Sequence, residues 1–278
     1  RFVPGYIDWL DRCLFAEATP PHWNRVAGQA WDRAIPVGDT IETGNRENDG
    51  HGICMWGRAM YWHWMGRPIE WNRAHWDATR ASVEWIRWQL DHDTIRPGMR
   101  KDVLFTESEC AHGDYDIYSS FNCLHGLRLA IRMAEQLGMR DEADAWHGLS
   151  LRLARGILDH LVDKGPFGPV WHTEPHCDWQ EHAHALVPLH LSTEGFTYTP
   201  FEDLDPGDEF GCRFLEIDRN TYRWLRSHGG YDALRMFGYG QGMMLQGAAL
   251  MDCMADVEGY LSMMVTHGYL GQFGRWVS

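Results

Sequence analysis

No two cysteines in this chain are spaced C-x-x-C, no apolar run reaches 18 residues, and Lys and Arg form no basic stretch. Each absence excludes something. Zinc-finger spacing is missing, and the seven cysteines (Cys13, Cys54, Cys110, Cys123, Cys177, Cys212 and Cys253) are scattered and odd in number. A disulfide framework is therefore not expected, and a reducing, cytoplasmic setting is. Without a long apolar run, no membrane-spanning helix is expected. Without a basic face, and with a formal net charge of −14, neither nucleic acid nor an anionic membrane is an expected partner. HExxH is absent too. Tyr239-Gly-Gln-Gly242 has no following Lys, so it reads as the tight opening of a helix rather than a phosphate cradle. The chain starts at Arg1 with neither Met nor a signal-like segment, as expected of a processed chain or of an internal piece of something longer.

What the chain does have is tryptophan and helical periodicity. Fifteen Trp in 278 residues, with 44% hydrophobic content, can fill a wide core and leave a few flat rings as platforms for sugars. From Glu70 to Asp91, one stripe holds Trp71, His75, Ala78, Ser82 and Trp85, and a second holds Trp76, Val83, Ile86 and Leu90. Two stripes predict a helix covered on both sides. Ile117 to Leu137 keeps the 3.6 period through Phe121, Leu124, Leu127 and Ile131, and Gly138 supplies a stop. Asp141 is then expected to cap a helix reaching Leu161, ended by Lys164-Gly165-Pro166. Further helices are expected near 22–35, 52–65, 178–190, 239–254 and 256–268, with Met243–Met254 as core packing. Long loops are expected at 36–51, 92–115, 165–177 and 191–218, and short extended pieces at Val103–Thr106 and Gly195–Thr199. Helical hairpins joined by short turns predict one all-α domain over 1–278, an (α/α) toroid with about nine or ten helices countable. The long loops would gather at one mouth.

Glu107, Glu109, Asp114 and Asp116 crowd the approach to the helix at Ile117, interleaved with Cys110, His112 and Gly113. Crowded carboxyls repel one another, which raises at least one pKa and keeps a proton available near neutrality. Cleaving a glycosidic bond needs such a proton donor and a second carboxylate across the anomeric carbon. One of Asp114 and Asp116 is expected to cap the helix, leaving the other for sugar hydroxyls. Glu109-Cys-Ala-His-Gly113, Tyr118-Ser119 and Leu127-x-x-Ala130-Ile131-x-x-Ala134-x-x-Leu137-Gly138 together resemble a run in the glucoamylase-type six-hairpin glycosidases. Asn48-Asp49-Gly50, before a helix at Ile53–Met65, is similar in position to that family's substrate-binding Asp. Ser108 stands where the family has an aromatic residue.

The resemblance implies a glycoside hydrolase acting on an oligo- or polysaccharide. Its general acid would be Glu109, with Glu107 as substitute. Asp49, His51, Trp56, His112 and Asp114 would line the substrate site, with Trp179 as a platform and Glu181 beside it. Glu174, Asp178, Glu181 and the acids of Phe201–Glu209 compete for the second carboxylate. The same toroid also suits a sugar epimerase or polysaccharide lyase with a His or Tyr base, or a non-catalytic carbohydrate-binding domain. His172, His176, His182, His184 and Cys177 are metal-ligand types, but His182 and His184 fall on different helix faces, so no metal and no cofactor are expected.

Overall fold

The computed structural model describes residues 5, 7–8, 11, 35–37, 40–42, 48–91, 102–104, 117–172, 185–186, 209–227 and 238–267. A hairpin of β1 (Ile35–Val37) and β2 (Thr40–Glu42) comes first. Helices α1 (Asn48–Trp64), α2 (Ile69–Ala74), α3 (Trp76–Asp91), α4 (Ile117–Leu137) and α5 (Arg140–His160) follow. A second hairpin, β3 (Val162–Gly165) and β4 (Gly168–Trp171), precedes α6 (Glu209–Ser227), α7 (Gly238–Leu250) and α8 (Met254–His267). Backbone proximity divides the chain into two compact units. Arg1–Tyr115 and Ser119–His160 form the first; Asp116–Tyr118 and Leu161–Ser278 form the second.

The first unit is built from helices of two kinds. In α4 every residue from Ile117 to Ala134 is buried except the half-buried Tyr118 and Arg132. A helix buried on all sides is an inner helix, and this one carries Ser119, Ser120, Asn122, His125 and Arg128 inside with it. In α5, Ala143, Trp146, Leu149, Leu153 and Ile157 are buried, whereas Asp141, Asp144, His147, Arg155 and Asp159 are exposed. That one-sided stripe marks an outer helix. Direction follows from side-chain partners. Asn48 exchanges hydrogen bonds with Gln89 at 3.0 and 2.8 Å, and His51 reaches the Ser82 carbonyl at 3.0 Å, so α3 runs antiparallel to α1. A Cβ on Gly52 would lie 2.3 Å from the Asn122 carbonyl carbon, and one on Gly126 would lie 2.6 Å from the Met55 Cβ. Helices α1 and α4 therefore lie in parallel, backbone against backbone. Trp76 stacks on Trp146 (ring centroids 5.3 Å apart), while Arg152 pairs with Asp91, so α3 and α5 also share a direction.

One turn recurs. At the end of α4 the Met139 N–H donates to the Ala134 carbonyl and the Gly138 N–H to Glu135, each at 3.0 Å, with Gly138 at φ +74°. This is the Schellman arrangement, which satisfies the carbonyls a helix end leaves open. The same pair of bonds closes α1 around Gly66 and α7 around Asp252, which takes φ +57° despite its side chain.

In the second unit β3 and β4 pair antiparallel, from Val162 with Trp171 to Gly165 with Gly168. Helix α6 packs on β4, and Leu186, Tyr222, Leu225, Met244, Ala248, Tyr260 and Met263 form a core with α7 and α8. Tyr222 Oη donates to Asp256 at 2.8 Å, and Arg226 pairs with the same carboxylate at 2.8 Å.

The all-α class expected from the sequence stands, with corrections of detail. The helix expected over Glu70–Asp91 is broken at His75, whose Nδ1 lies 2.6 Å from an Asp11 carboxylate oxygen. The loops expected at 36–51 and 165–177 carry hairpin strands, and α1 starts at Asn48 rather than near Ile53. Helix α6 starts inside the loop expected at 191–218. Asp141 sits in the first turn of α5 rather than capping it, and Lys164-Gly165-Pro166 belongs to the β3–β4 hairpin, since α5 stops at His160. Val103 and Leu104 are buried but not strand, and Met254 is 57% exposed although Met244 is core. Ile35 is strand, and 22–34, Gly195–Thr199 and most of 178–190 lie outside the described residues.

Gly52→Ala should cost at least about 1–3 kcal/mol, because the new methyl meets backbone that cannot swing aside. Gly148→Ala on exposed α5, with open space around it, should instead add about 0.5–1 kcal/mol. Urea denaturation of both variants checks the pair; equal effects would contradict the backbone contact.

Candidate functional site

The Asn48–Gly50 turn and Leu104, the described residue that precedes the acidic stretch, lie at one end of the first unit. Because α1 and α4 are parallel, their first turns lie side by side. Cys123 Sγ donates to the Asn48 carbonyl at 3.0 Å, across 75 positions of sequence. Asp49 therefore sits in the first turn of α1, beside the first turns of α4; its side chain lies outside the described residues. The acidic stretch also departs from this end. Leu104 is buried, its N–H donates to Ser120 Oγ at 3.1 Å, and the same hydroxyl lies 3.3 Å from its carbonyl. Helix α4 begins thirteen positions later, at Ile117. Glu107, Glu109, His112 and Asp114 lie between these points, and Trp179 and Glu181 in 173–184, all outside the described residues.

His51 is 1% exposed. Its Nε2 faces a carbonyl, which can only accept, so that nitrogen carries the proton. Burial pulls the imidazole down to about 4, against the bond to Ser82 and with help from the positive charge of Arg58. It is neutral at pH 7 and packs edge-on to Trp85, 6.3 Å away. Trp56 is half-buried. Its Nε1 donates to Asn122 Oδ1 at 3.2 Å, and its ring meets His125 at a steep angle, 6.1 Å between centroids. Sequence reasoning missed Asn122 and His125. His125 is 2% exposed, its Nδ1 has no hydrogen-bond partner among the described residues, and burial, then Arg128, lowers its pKa to about 3. The only signal for either was a polar residue inside a run otherwise patterned as core.

The second unit holds a carboxyl that the sequence reading placed in a loop. Asp218 lies on α6 among Phe214, Ile217, Thr221 and Tyr222, within the buried stripe. One oxygen accepts the Trp171 indole N–H at 2.7 Å; the other has no partner among the described residues. Burial raises its pKa to about 7, although the indole bond opposes the shift. Asp218 can therefore hold a proton at neutrality. His172 Nδ1 lies 2.7 Å from an Asp163 carboxylate oxygen, and no group of three metal-ligating side chains occurs among the described residues. Among them, too, no helix is long and apolar enough to cross a membrane.

No protein-family model matches the chain, and no curated protein matches it. Among solved structures it is similar to a rhamnosidase from Klebsiella oxytoca with rhamnose bound. The TM-score is 0.50 at 16% sequence identity, over 95% of this chain and 47% of that one. The chain thus spans about half the length of that protein. The likeness is one of fold, and agrees with an all-α, barrel-like class of helical hairpins.

The buried groups titrate in opposite senses. Between roughly pH 4 and 7 the folded chain keeps on Asp218 a proton that the unfolded chain has lost, so this group's contribution falls as pH rises. His51 and His125 refuse a proton that the unfolded chain binds below about 6.5, so theirs falls as pH drops. Asp218→Asn should isolate the first effect. Relative to the unsubstituted chain, its stability should climb from pH 4 to 7, with a slope approaching about 1.4 kcal/mol per pH unit, and level off above. Urea melts across that range measure it; a flat difference would mean that Asp218 is already ionised within the fold.

Proposed function

We propose that the chain is a glycoside hydrolase acting on an oligo- or polysaccharide by paired carboxyl chemistry. Glu109 is its general acid, and Glu107 is the substitute from the same stretch. The observation that carries this reading is the fold likeness, across almost the whole chain, to a protein that holds a sugar and is named for cleaving one. Two features of the first unit support it. The acidic stretch is tethered at Leu104 to the first turns of α4, and Asp49 opens the neighbouring parallel helix. The described residue that precedes the acidic stretch and the first turn of α1 therefore lie at one end of an inner pair of helices, which supports pairing carboxylates from the two segments there. Helix N-termini there favour negative charge by about 0.3–1 kcal/mol. A carboxylate stabilised in this way suits a base or nucleophile, while a crowded neighbour held protonated suits the acid.

In that division of labour Glu109 gives its proton to the departing glycosidic oxygen. A second carboxylate activates water or attacks the anomeric carbon. Asp49, His112 and Asp114 hold sugar hydroxyls, and Trp179 and Glu181 are sugar-binding residues of the second unit. His51 supports the site from the core, since its ring nitrogen is committed to Ser82. Trp56, tied to Asn122, has a half-exposed ring that can border a sugar.

Glu109→Gln removes a proton donor without changing shape. With a chromogenic aryl rhamnoside as first probe, and aryl glucosides and glucuronides beside it, the variant should lose several orders of magnitude in kcat. Calorimetric binding of the unhydrolysed sugar should change little. If Glu109→Gln and Glu107→Gln both retain the original rate, the acids are misassigned.

A further inference from the structure

Asp102, Val103 and Leu104, immediately upstream of the acidic stretch, are fixed more tightly than a loop requires. Asp102 takes φ +63°, a left-handed conformation that persists in a residue with a side chain only where its surroundings enforce it. Three contacts enforce it here. Arg152 Nε donates to the Asp102 carboxylate at 2.6 Å. The same guanidinium also holds the Asp91 carboxylate and the Leu90 carbonyl, so one side chain clasps both ends of 92–101. The Asp102 carbonyl lies so close to Gly156 of α5 that a Cβ there would sit 1.9 Å from its oxygen. Beyond it, Val103 and Leu104 are wholly buried, and Leu104 is bonded through its backbone to Ser120 of α4. Burial alone would lower the Arg152 pKa, but its two carboxylate partners outweigh that and raise it.

We propose that Arg152, acting through Asp102–Val103–Leu104, is the positioning residue for the acidic segment 105–116. This rests on the reading of Glu107 and Glu109 as the reacting acids. Glu107 is only three positions past Leu104, so a shift of the anchor passes into the segment with little chain to absorb it. A misplacement of about 1 Å at a reacting group can cost about a hundredfold in rate. Among the described residues the hydrogen-bond partners of Arg152 are Asp102, Asp91 and Leu90, so its role is positioning rather than catalytic. A guanidinium suits the task because its planar fork serves three acceptors at once, where an ammonium serves as a single point charge.

The test uses the full chain, with Arg152→Met to remove the clasp and Arg152→Lys to restore part of it. Hydrogen–deuterium exchange is followed in peptides covering 105–116 and in the interiors of α4 and α5. In the Met variant, exchange over 105–116 should rise about tenfold while the helix interiors stay within about twofold. On the aryl glycoside turned over fastest, kcat should fall about ten- to a hundredfold with KM nearly unchanged, and the Lys variant should lie between. Asp102→Asn, which tolerates the left-handed backbone, should show the same pattern more weakly if the Met variant does not fold. Unchanged exchange over 105–116 overturns the proposal whatever the rate does, and so does raised exchange with an unmoved kcat. Full activity of both Glu→Gln variants would instead remove the assignment of the acids, leaving the anchor to be judged by exchange alone.

Discussion

Backbone lies against backbone where α1 crosses α4, and the rest of the first unit is arranged around that contact. Gly52 and Gly126 leave no side chain between the helices, so the two axes come closer than ordinary side chains would allow. Closeness of this kind fixes register, because a one-residue slide would bring a Cβ into a carbonyl. With register fixed, the first turns of both helices lie at the same end, and Asn48 meets Cys123, Trp85 and Gln89 together. Helix α3 then has one way to lie, antiparallel to α1, with its Ser82 carbonyl over His51.

The interior so formed is unusually polar for a helical core. Asn48, His51, Gln89, Asn122, His125 and Arg128 are all buried. An unmade hydrogen bond in such a place costs about 1–3 kcal/mol. Asn48, with both ends of its amide engaged, discriminates between arrangements more than it adds stability. A slipped or reversed pairing of α1 and α3 would orphan its carbonyl and its amide at once. His51 works similarly, since only a ring with the proton on Nε2 can bond the Ser82 carbonyl, while burial keeps that ring neutral. The second unit uses the opposite device. Asp218 can keep its proton there, and β4 is held on α6 by the Trp171 indole N–H to Asp218 and the Trp171 backbone N–H to Thr221.

Much of this architecture was legible in the sequence, because hydrophobic period reports on a helix one face at a time. Of the double stripe read over Glu70–Asp91, the part within Trp76–Asp91 holds, with Trp76, Ser82, Val83, Trp85, Ile86 and Leu90 buried, and the limits Ile117–Leu137 came through unchanged. The break at His75 was invisible, since it depends on Asp11, distant in sequence. The β3–β4 hairpin was lost to its glycines and prolines, which also mark loops. Asp218 was hidden because an acid next to an acidic loop reads as more loop, although its spacing from Phe214 and Tyr222 places it in the buried stripe. The start of α4 was legible from the abrupt change of composition at Ile117. The inward commitment of His51 was not: a His beside a glycine and an acid reads as a ligand until the partner helix is known to cover it.

The two-residue link Gly138-Met139 between α4 and α5 has a consequence for how the chain reaches its native state. Contacts across that link join near neighbours in sequence, and closing a loop of a few residues takes only tens of nanoseconds. The bond from Cys123 to Asn48 spans 75 positions, and its closure costs more chain entropy. Hairpin formation is therefore favoured ahead of helix pairing across the unit. During synthesis α1 emerges well before α4, and its glycine face stays uncovered until α4 has been made.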